Sequence, residues 1–144
     1  AFDDLLGKIP VGEHDERDPY CIVGSDGLTR SWKEKGHPRA SATFPHAITY
    51  FVKEKGILTL EQAVNKMTGL TAEYLLIKNK GFIRDGYDAD LVLFDYDRLQ
   101  DTATYINSNS ITKGIDCVIV NGAIVYADKQ FTGEYSGRMI RHNA

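Results

Sequence analysis

The chain has 144 residues, of which 42% are hydrophobic and 26% charged, and its formal net charge is −3 at pH 7. That is an ordinary balance for one globular domain, long enough to bury roughly two thirds of its unfolded surface. The acidic balance without a basic cluster excludes a nucleic-acid footprint, no run approaches the length of a membrane span, and the start Ala1-Phe2-Asp3-Asp4-Leu5-Leu6 is too acidic for a signal peptide.

Residues 1–19 are polar and turn-rich, with Gly7, Pro10 and Gly12 ahead of a charged run. Phe2, Leu5 and Leu6 can form one helical turn against a neighbour; the rest reads as an exposed approach, and His14 as a solvated surface residue. No initiator Met is present, which fits either its removal or a start within a longer protein.

Tyr20-Cys21-Ile22-Val23 then runs into Gly24-Ser25-Asp26-Gly27. A short apolar run bounded by turn residues predicts a strand buried on both faces, as in a parallel sheet. It leaves one carboxylate, Asp26, at the strand's carboxyl end, where α/β folds place ligands and chemistry. The plain alternative is an aspartate that accepts hydrogen bonds from its own loop. Residues 28–41 read as a long loop, and such loops are often functional. This one carries the only Trp, Trp32, and the triplet His37-Pro38-Arg39. Arg39 suits a pair with a carboxylate, either a substrate's or the protein's own.

Phe44, Ile48, Phe51 and Val52 recur at helical spacing, with Pro45 suited to a first turn and Lys53-Glu54-Lys55-Gly56 to an end. A second helix opens at Thr59 with Gln62 completing a capping box, and should bury Leu60, Ala63, Val64 and Met67. Thr71 is positioned to cap a third short helix through Leu76. From residue 81 the pattern turns to β. Leu91–Asp95, Ile115–Val120 and Ala123–Tyr126 read as strands, the last two joined by Asn121-Gly122, a strong hairpin signal. Residues 97–113 read as polar loop, and the tail from Phe131 as extended. Cys21 and Cys117 each lie in an apolar run, which predicts buried, inert thiols in a reducing cytoplasm rather than a disulfide. The early strand has no parallel neighbour in the sequence, so its partners must come from elsewhere.

The ordered motifs Ile22–Gly27, His37-Pro38-Arg39 and Thr43-Phe44-Pro45 resemble the end of the barrel in N-acyl-D-amino-acid deacylases (D-aminoacylases) of the metal-dependent amidohydrolase superfamily. Leu60–Val64, Gly81–Arg84, Ala89–Asp95, Val120-Asn121-Gly122 and Thr132-Gly133 continue the likeness from residue 20 to residue 141. The segment around Ala89-Asp90-Leu91-Val92 specifies only the superfamily, whereas Gly-Ser-Asp-Gly with His-Pro-Arg points to the deacylase branch. The resemblance implies an α/β fold: the carboxyl-terminal fragment of a (β/α)8 barrel, followed by antiparallel strands of a small β-sandwich. Residues 1–80 would supply the last barrel strand, loop and helices, and residues 81–144 the sandwich strands.

It further implies an enzyme that uses zinc to cleave the amide of a small N-acyl-D-amino acid. Asp26 would be the catalytic acid/base, shuttling a proton from the attacking water to the leaving nitrogen. Arg39, His37 and Ser25 become candidate substrate-binding residues, Arg39 for the free carboxylate. Two departures stand out: Ala42 replaces the family's Gly before Thr-Phe-Pro, and His46 its Arg after it. The family's His-x-His, its bridging ligand and its later His ligands have no counterpart among His14, His37, His46 and His142. Zinc needs about three protein ligands, so no metal is expected in this chain alone, with Asp26 the one candidate ligand. The chain is therefore read as the last third of a deacylase, inactive by itself and partnered by the remaining barrel. A dihydroorotase- or hydantoinase-like cyclic amidase of the same superfamily is the enzymatic alternative. A non-catalytic domain that forms homo-oligomers through exposed strands is the other.

Overall fold

The computed structural model describes residues 18–28, 34 and 36–141. The expected turn at Phe2–Leu6, and His14, Trp32 and His142, lie outside the described residues. Among those described, no helix is long and apolar enough to cross a membrane.

A continuous helical rod comes first. It starts as α1 (Arg39–His46) and widens into a π-helical segment, Ala47–Glu54. The start lies six residues earlier than Pro45 suggests, because Pro38 is fully buried and sets the first turn. Arg39, Ala40 and Ser41 thus belong to the helix, not to the preceding loop. Pro45 consequently falls inside it, where it cannot donate to the carbonyl of Ser41. Two residues later the ladder takes i→i+5 spacing, ending with Lys55 N–H on the carbonyl of Tyr50 at 2.8 Å. Ile48 and Phe51 are buried as their spacing predicts, whereas Phe44 stays 46% exposed.

α2 (Leu60–Met67) opens with the expected capping box: Gln62 N–H donates to Thr59 Oγ1 at 3.2 Å, and Thr59 N–H to Gln62 Oε1 at 2.8 Å. Ala63 is fully buried, and Leu60, Val64 and Met67 are half-buried. α3 (Gly69–Tyr74) begins earlier than predicted. Thr71 does not cap it; its hydroxyl donates to the carbonyl of Lys66 at 2.7 Å, tying the two helices together.

The β half is a four-stranded antiparallel meander: β1 (Leu91–Phe94), β2 (Ile115–Val120), β3 (Ala123–Ala127) and β4 (Gln130–Phe131), in that order. The register sets Leu91 against Ile119 and Val120 against Ala123. Asn121 and Gly122 both take positive φ, 48° and 80°, as a type I′ turn requires. A second such turn, Asp128-Lys129, also has positive φ at both residues and adds β4. The segment before β1 is fastened by charge. Lys80 pairs with Asp90 and, at 2.9 Å, with Asp88, which Arg138 also reaches at 3.2 Å. Asp90 Oδ1 accepts Asn121 N–H at 2.7 Å, linking the segment to the hairpin.

The core joins the two halves. Ala47, Ile48, Phe51, Leu58, Ala63 and Leu99 cluster with Val23, and Phe94 and Ile115 pack onto them from the sheet. One expectation fails here. The run Tyr20–Gly24 forms no regular strand, and Tyr20 is 85% exposed. No strand lies beside it among the described residues, so its polar backbone groups turn elsewhere. Val23 N–H reaches the carbonyl of Lys66 at 3.4 Å, and Cys21 N–H that of Asp18 at 3.2 Å. For the same reason Cys21 is half-buried rather than sealed; Cys117, paired on both sides within β2, is half-buried too.

Candidate functional site

Asp26 lies on a sharp turn. Ser25 Oγ accepts the N–H of Gly27 at 3.1 Å, closing a side-chain turn around the aspartate, whose φ is +46°. That left-handed conformation is tolerated by Asp better than by most residues. Gly27 permits the approach to α1: a Cβ there would stand 3.1 Å from Ala40 Cα. The turn thus seats Asp26 against the start of α1 with its side chain 81% exposed.

Arg39, the first residue of α1, meets it. Its Nη2 lies 2.8 Å from Asp26 Oδ2, and its side chain is 29% exposed. The carboxylate that Arg39 takes in this structure is therefore the protein's own. An exposed pair of this kind contributes only about 0–1 kcal/mol to stability, so its consequence is positional. One guanidinium nitrogen engages Asp26, and a guanidinium has donors to spare for a second anion.

His37 does not point into open space. Its Nδ1 accepts the backbone N–H of Arg39 at 3.2 Å, and its Nε2 lies 3.1 Å from the hydroxyl of Tyr105, whose ring meets the imidazole edge-on at 5.0 Å. Tyr105 comes from residues 97–113, which the sequence suggested were merely polar loop. They form a second wall. Ser108, 3% exposed, accepts the N–H of Gly36 at 2.9 Å through its hydroxyl and the hydroxyl of Ser41 at 2.6 Å through its carbonyl. Leu99 and Ala103 are buried with it. The abundance of Ser, Thr and Asn between 101 and 112 was the available signal, since such side chains satisfy buried backbone away from regular ladders.

The same wall is clamped to the helical rod. Asp101 lies 2.8 Å from His46 Nδ1 through one oxygen and accepts the hydroxyl of Thr49 at 2.7 Å through the other. Lys53 Nζ donates to the carbonyl of Leu99 at 2.9 Å. His46 is thus committed to Asp101 and stacks on Tyr50 at 5.3 Å. Burial pushes the Asp101 carboxyl up, but the His46 and Thr49 bonds outweigh it and leave it below the ordinary carboxylate range. A carboxyl lowered on folding stabilises above its unfolded value, about 3.9, and loses that contribution as pH falls through its folded value. Protection of the amides across residues 97–110, corrected for the intrinsic exchange rate, should therefore fall as pH drops below about 4 in the native protein. That fall should be largely absent in Asp101→Asn; an equal fall in both would exclude the clamp as its source.

Among the described residues, no three His, Cys, Asp or Glu side chains gather to hold a metal ion. His37 and His46 are each directed at protein partners, and Asp26 at Arg39. These residues do not by themselves fit a zinc centre.

A carboxylate on an exposed turn beside a helix-borne arginine is followed by a rod, two short helices and an antiparallel sheet, an α/β arrangement. The chain belongs to the amidohydrolase family: the family model matches residues 6–126. Its superfamily has a TIM-barrel fold, and the small sheet and helices seen here are consistent with a part of it. The chain is 42% identical over 123 residues to a D-aminoacylase of Alcaligenes xylosoxydans xylosoxydans, covering 85% of this chain and 25% of that protein. A solved D-aminoacylase with a binuclear metal centre matches with a TM-score of 0.79 and 39% identity, over 85% of this chain and 25% of the other. The N-acyl-D-glutamate deacylase of Bordetella bronchiseptica, complexed with zinc and a phosphonate inhibitor, matches with a TM-score of 0.74 and 37% identity, over 81% of this chain and 24% of that one. The chain thus spans about a quarter of the length of the relatives it matches.

Proposed function

We propose that the complete protein hydrolyses the amide bond of N-acyl-D-amino acids, and that this chain contributes the proton-transferring carboxylate, Asp26. The observation that carries the reading is the placement of Asp26: exposed, on a turn set by Ser25 and Gly27, and held from one side by Arg39. In the proposed reaction water attacks the acyl carbon and Asp26 takes the proton it loses. Collapse of the tetrahedral intermediate breaks the C–N bond, and Asp26 returns the proton to the departing amine. The products are a carboxylate and a free D-amino acid. Zinc belongs to the complete enzyme, on ligands contributed by the remaining three quarters of the protein. Residues up to 80 complete a barrel in this reading, and those from 81 onward join a composite sandwich.

Arg39 is the proposed contact for the substrate's free carboxylate, through the guanidinium donors that Asp26 leaves available. In the complete zinc-loaded enzyme, Arg39→Ala should raise KM about tenfold, the loss of roughly 1.4 kcal/mol of binding. An unchanged KM would remove Arg39 from the substrate site.

The reading as a whole is tested by steady-state hydrolysis with the complete protein carrying zinc. N-acetyl-D-amino acids should be cleaved, and their L enantiomers should not. Turnover of dihydroorotate or a hydantoin, with none of the N-acyl-D-amino acid, would replace this reading with the cyclic-amidase one. Absence of turnover on every amide tried, with zinc bound, would overturn both.

A further inference from the structure

The cap of α1 carries a feature that the proposed reaction does not use. Helix starts leave backbone N–H groups without intrahelical partners, and Ser, Thr, Asp or Asn side chains ordinarily satisfy them. Here the N-cap is Pro38, which makes no side-chain cap bond. The N–H of Arg39 is taken instead by His37 Nδ1, two residues back, at 3.2 Å. An imidazole can do this only with Nδ1 unprotonated, so its ring hydrogen sits on Nε2, the nitrogen that faces Tyr105 Oη at 3.1 Å. The edge-on ring contact fixes the plane of the imidazole as well. Tyr105 rides on a wall that Ser108 holds to Gly36 and Ser41, on either side of the same triplet. The backbone that receives all this restraint belongs to the residue whose guanidinium grips Asp26.

We propose that Tyr105 and His37 are positioning residues for the hydrolytic site. Tyr105 sets the ring plane of His37 and accepts its Nε2 hydrogen; His37 Nδ1 fixes the backbone of Arg39; and Arg39 thereby presents its guanidinium to Asp26. The inference rests on the reading of Asp26 as the proton-transferring carboxylate. It gives His37 a role through Arg39 rather than through direct contact with substrate. The Tyr105 hydroxyl faces His37 Nε2, the backbone N–H of Arg39 faces Nδ1, and the Arg39 guanidinium and Asp26 lie one step further on.

The physics supplies a discriminating variant. Asn places its Oδ1 where His places Nδ1, and Asn side chains commonly accept the N–H two residues on. His37→Asn therefore keeps the bond to Arg39 while dispensing with Tyr105. In the complete zinc-loaded enzyme, His37→Ala should lower kcat/KM for an N-acetyl-D-amino acid by about tenfold or more, because small misplacements of site groups are costly. His37→Asn should stay within about threefold of the parent. Tyr105→Phe should cost several-fold in the His37 background and nothing further in the His37→Asn background. Zinc content and the thermal midpoint are recorded for each variant, so that lost folding is separated from lost positioning.

If His37→Asn is as impaired as His37→Ala, or if Tyr105→Phe costs the same in both backgrounds, the relay is wrong. Asp26→Asn run alongside separates the two levels. Full activity in Asp26→Asn would sink the catalytic reading itself. An inactive Asp26→Asn together with fully active His37→Ala and Tyr105→Phe would sink only the relay.

Discussion

Replacing Asp26 with Asn in the complete, zinc-loaded enzyme should lower kcat by about a thousandfold, some 4 kcal/mol of transition-state stabilisation, and leave KM within a few-fold. Asn has nearly the same shape and can still accept a hydrogen bond from Arg39, so the turn built by Ser25 and Gly27 should survive. What it loses, on the proposed mechanism, is the capacity to hold a proton between the two halves of the reaction. The loss should fall on kcat because the group acts on atoms whose bonding changes, whereas groups that bind the substrate's distant carboxylate act on KM. Zinc content should be unchanged, since the metal's ligands are assigned to the rest of the protein. A kcat within threefold of the parent, measured with full zinc occupancy, would end the assignment.

The second large effect is expected at Lys66, which no sequence motif singles out. Lys66 is 5% exposed, and its ammonium donates to the carbonyls of Asp18 and, at 2.9 Å, of Cys21. Its own carbonyl accepts Val23 N–H and the hydroxyl of Thr71. One residue of α2 thus ties down both the run that leads to Asp26 and the start of α3. Hydrogen bonds from a charged donor contribute about 1.5–3 kcal/mol each, and removing the donor strands the two carbonyls. Lys66→Met keeps the apolar stem and removes the ammonium. It should cost about 3 kcal/mol in urea unfolding and, by releasing residues 18–23, also reduce turnover in the complete enzyme. A loss below about 0.5 kcal/mol would show that water replaces the ammonium without penalty.

Lys80 makes a useful contrast. It also holds two partners, but they are carboxylates in a more open setting. The Lys80 ammonium beside them keeps the carboxyls of Asp88 and Asp90 below their ordinary range, with Asn121 N–H assisting at Asp90. Such partly exposed pairs set the register of a loop against a hairpin and add little net stability. Lys66 lacks a carboxylate partner among the described residues and works by satisfying main chain, which makes its loss harder to repair.

Reading the chain residue by residue locates most of the regular structure. The capping box at Thr59 and Gln62, the Asn121-Gly122 turn and the three main strands all follow from local rules. Each depends on interactions between residues close in sequence, so tertiary context has little to override. The less legible parts depend on unusual local chemistry or on partners far along the chain. The start of α1 at Arg39 needed a buried Pro38 and an imidazole acceptor, neither of which is a standard cap. The π-helical segment needed Pro45 inside an already established rod. Residues 97–113 read as polar loop because their apolar content is low, yet Leu99, Ala103 and Ser108 are buried. Leu99 packs into the apolar core and Ser108 is tied to Gly36 and Ser41, contacts that leave no periodic trace.

The sequence by itself determined the candidate acid/base at Asp26, the arginine that could serve it, and the membership in a hydrolase family, because short motifs with a fixed order carry those. Tertiary structure alone decided that Arg39 faces Asp26 instead of standing free, that His37 and His46 are committed to Tyr105 and Asp101, and that Tyr20–Gly24 is tethered to Lys66 rather than laid down as a strand. The physical reason is the same in each case. A charged or polar group takes whichever partner the fold brings within about 3 Å, and that choice is made by residues well separated along the chain.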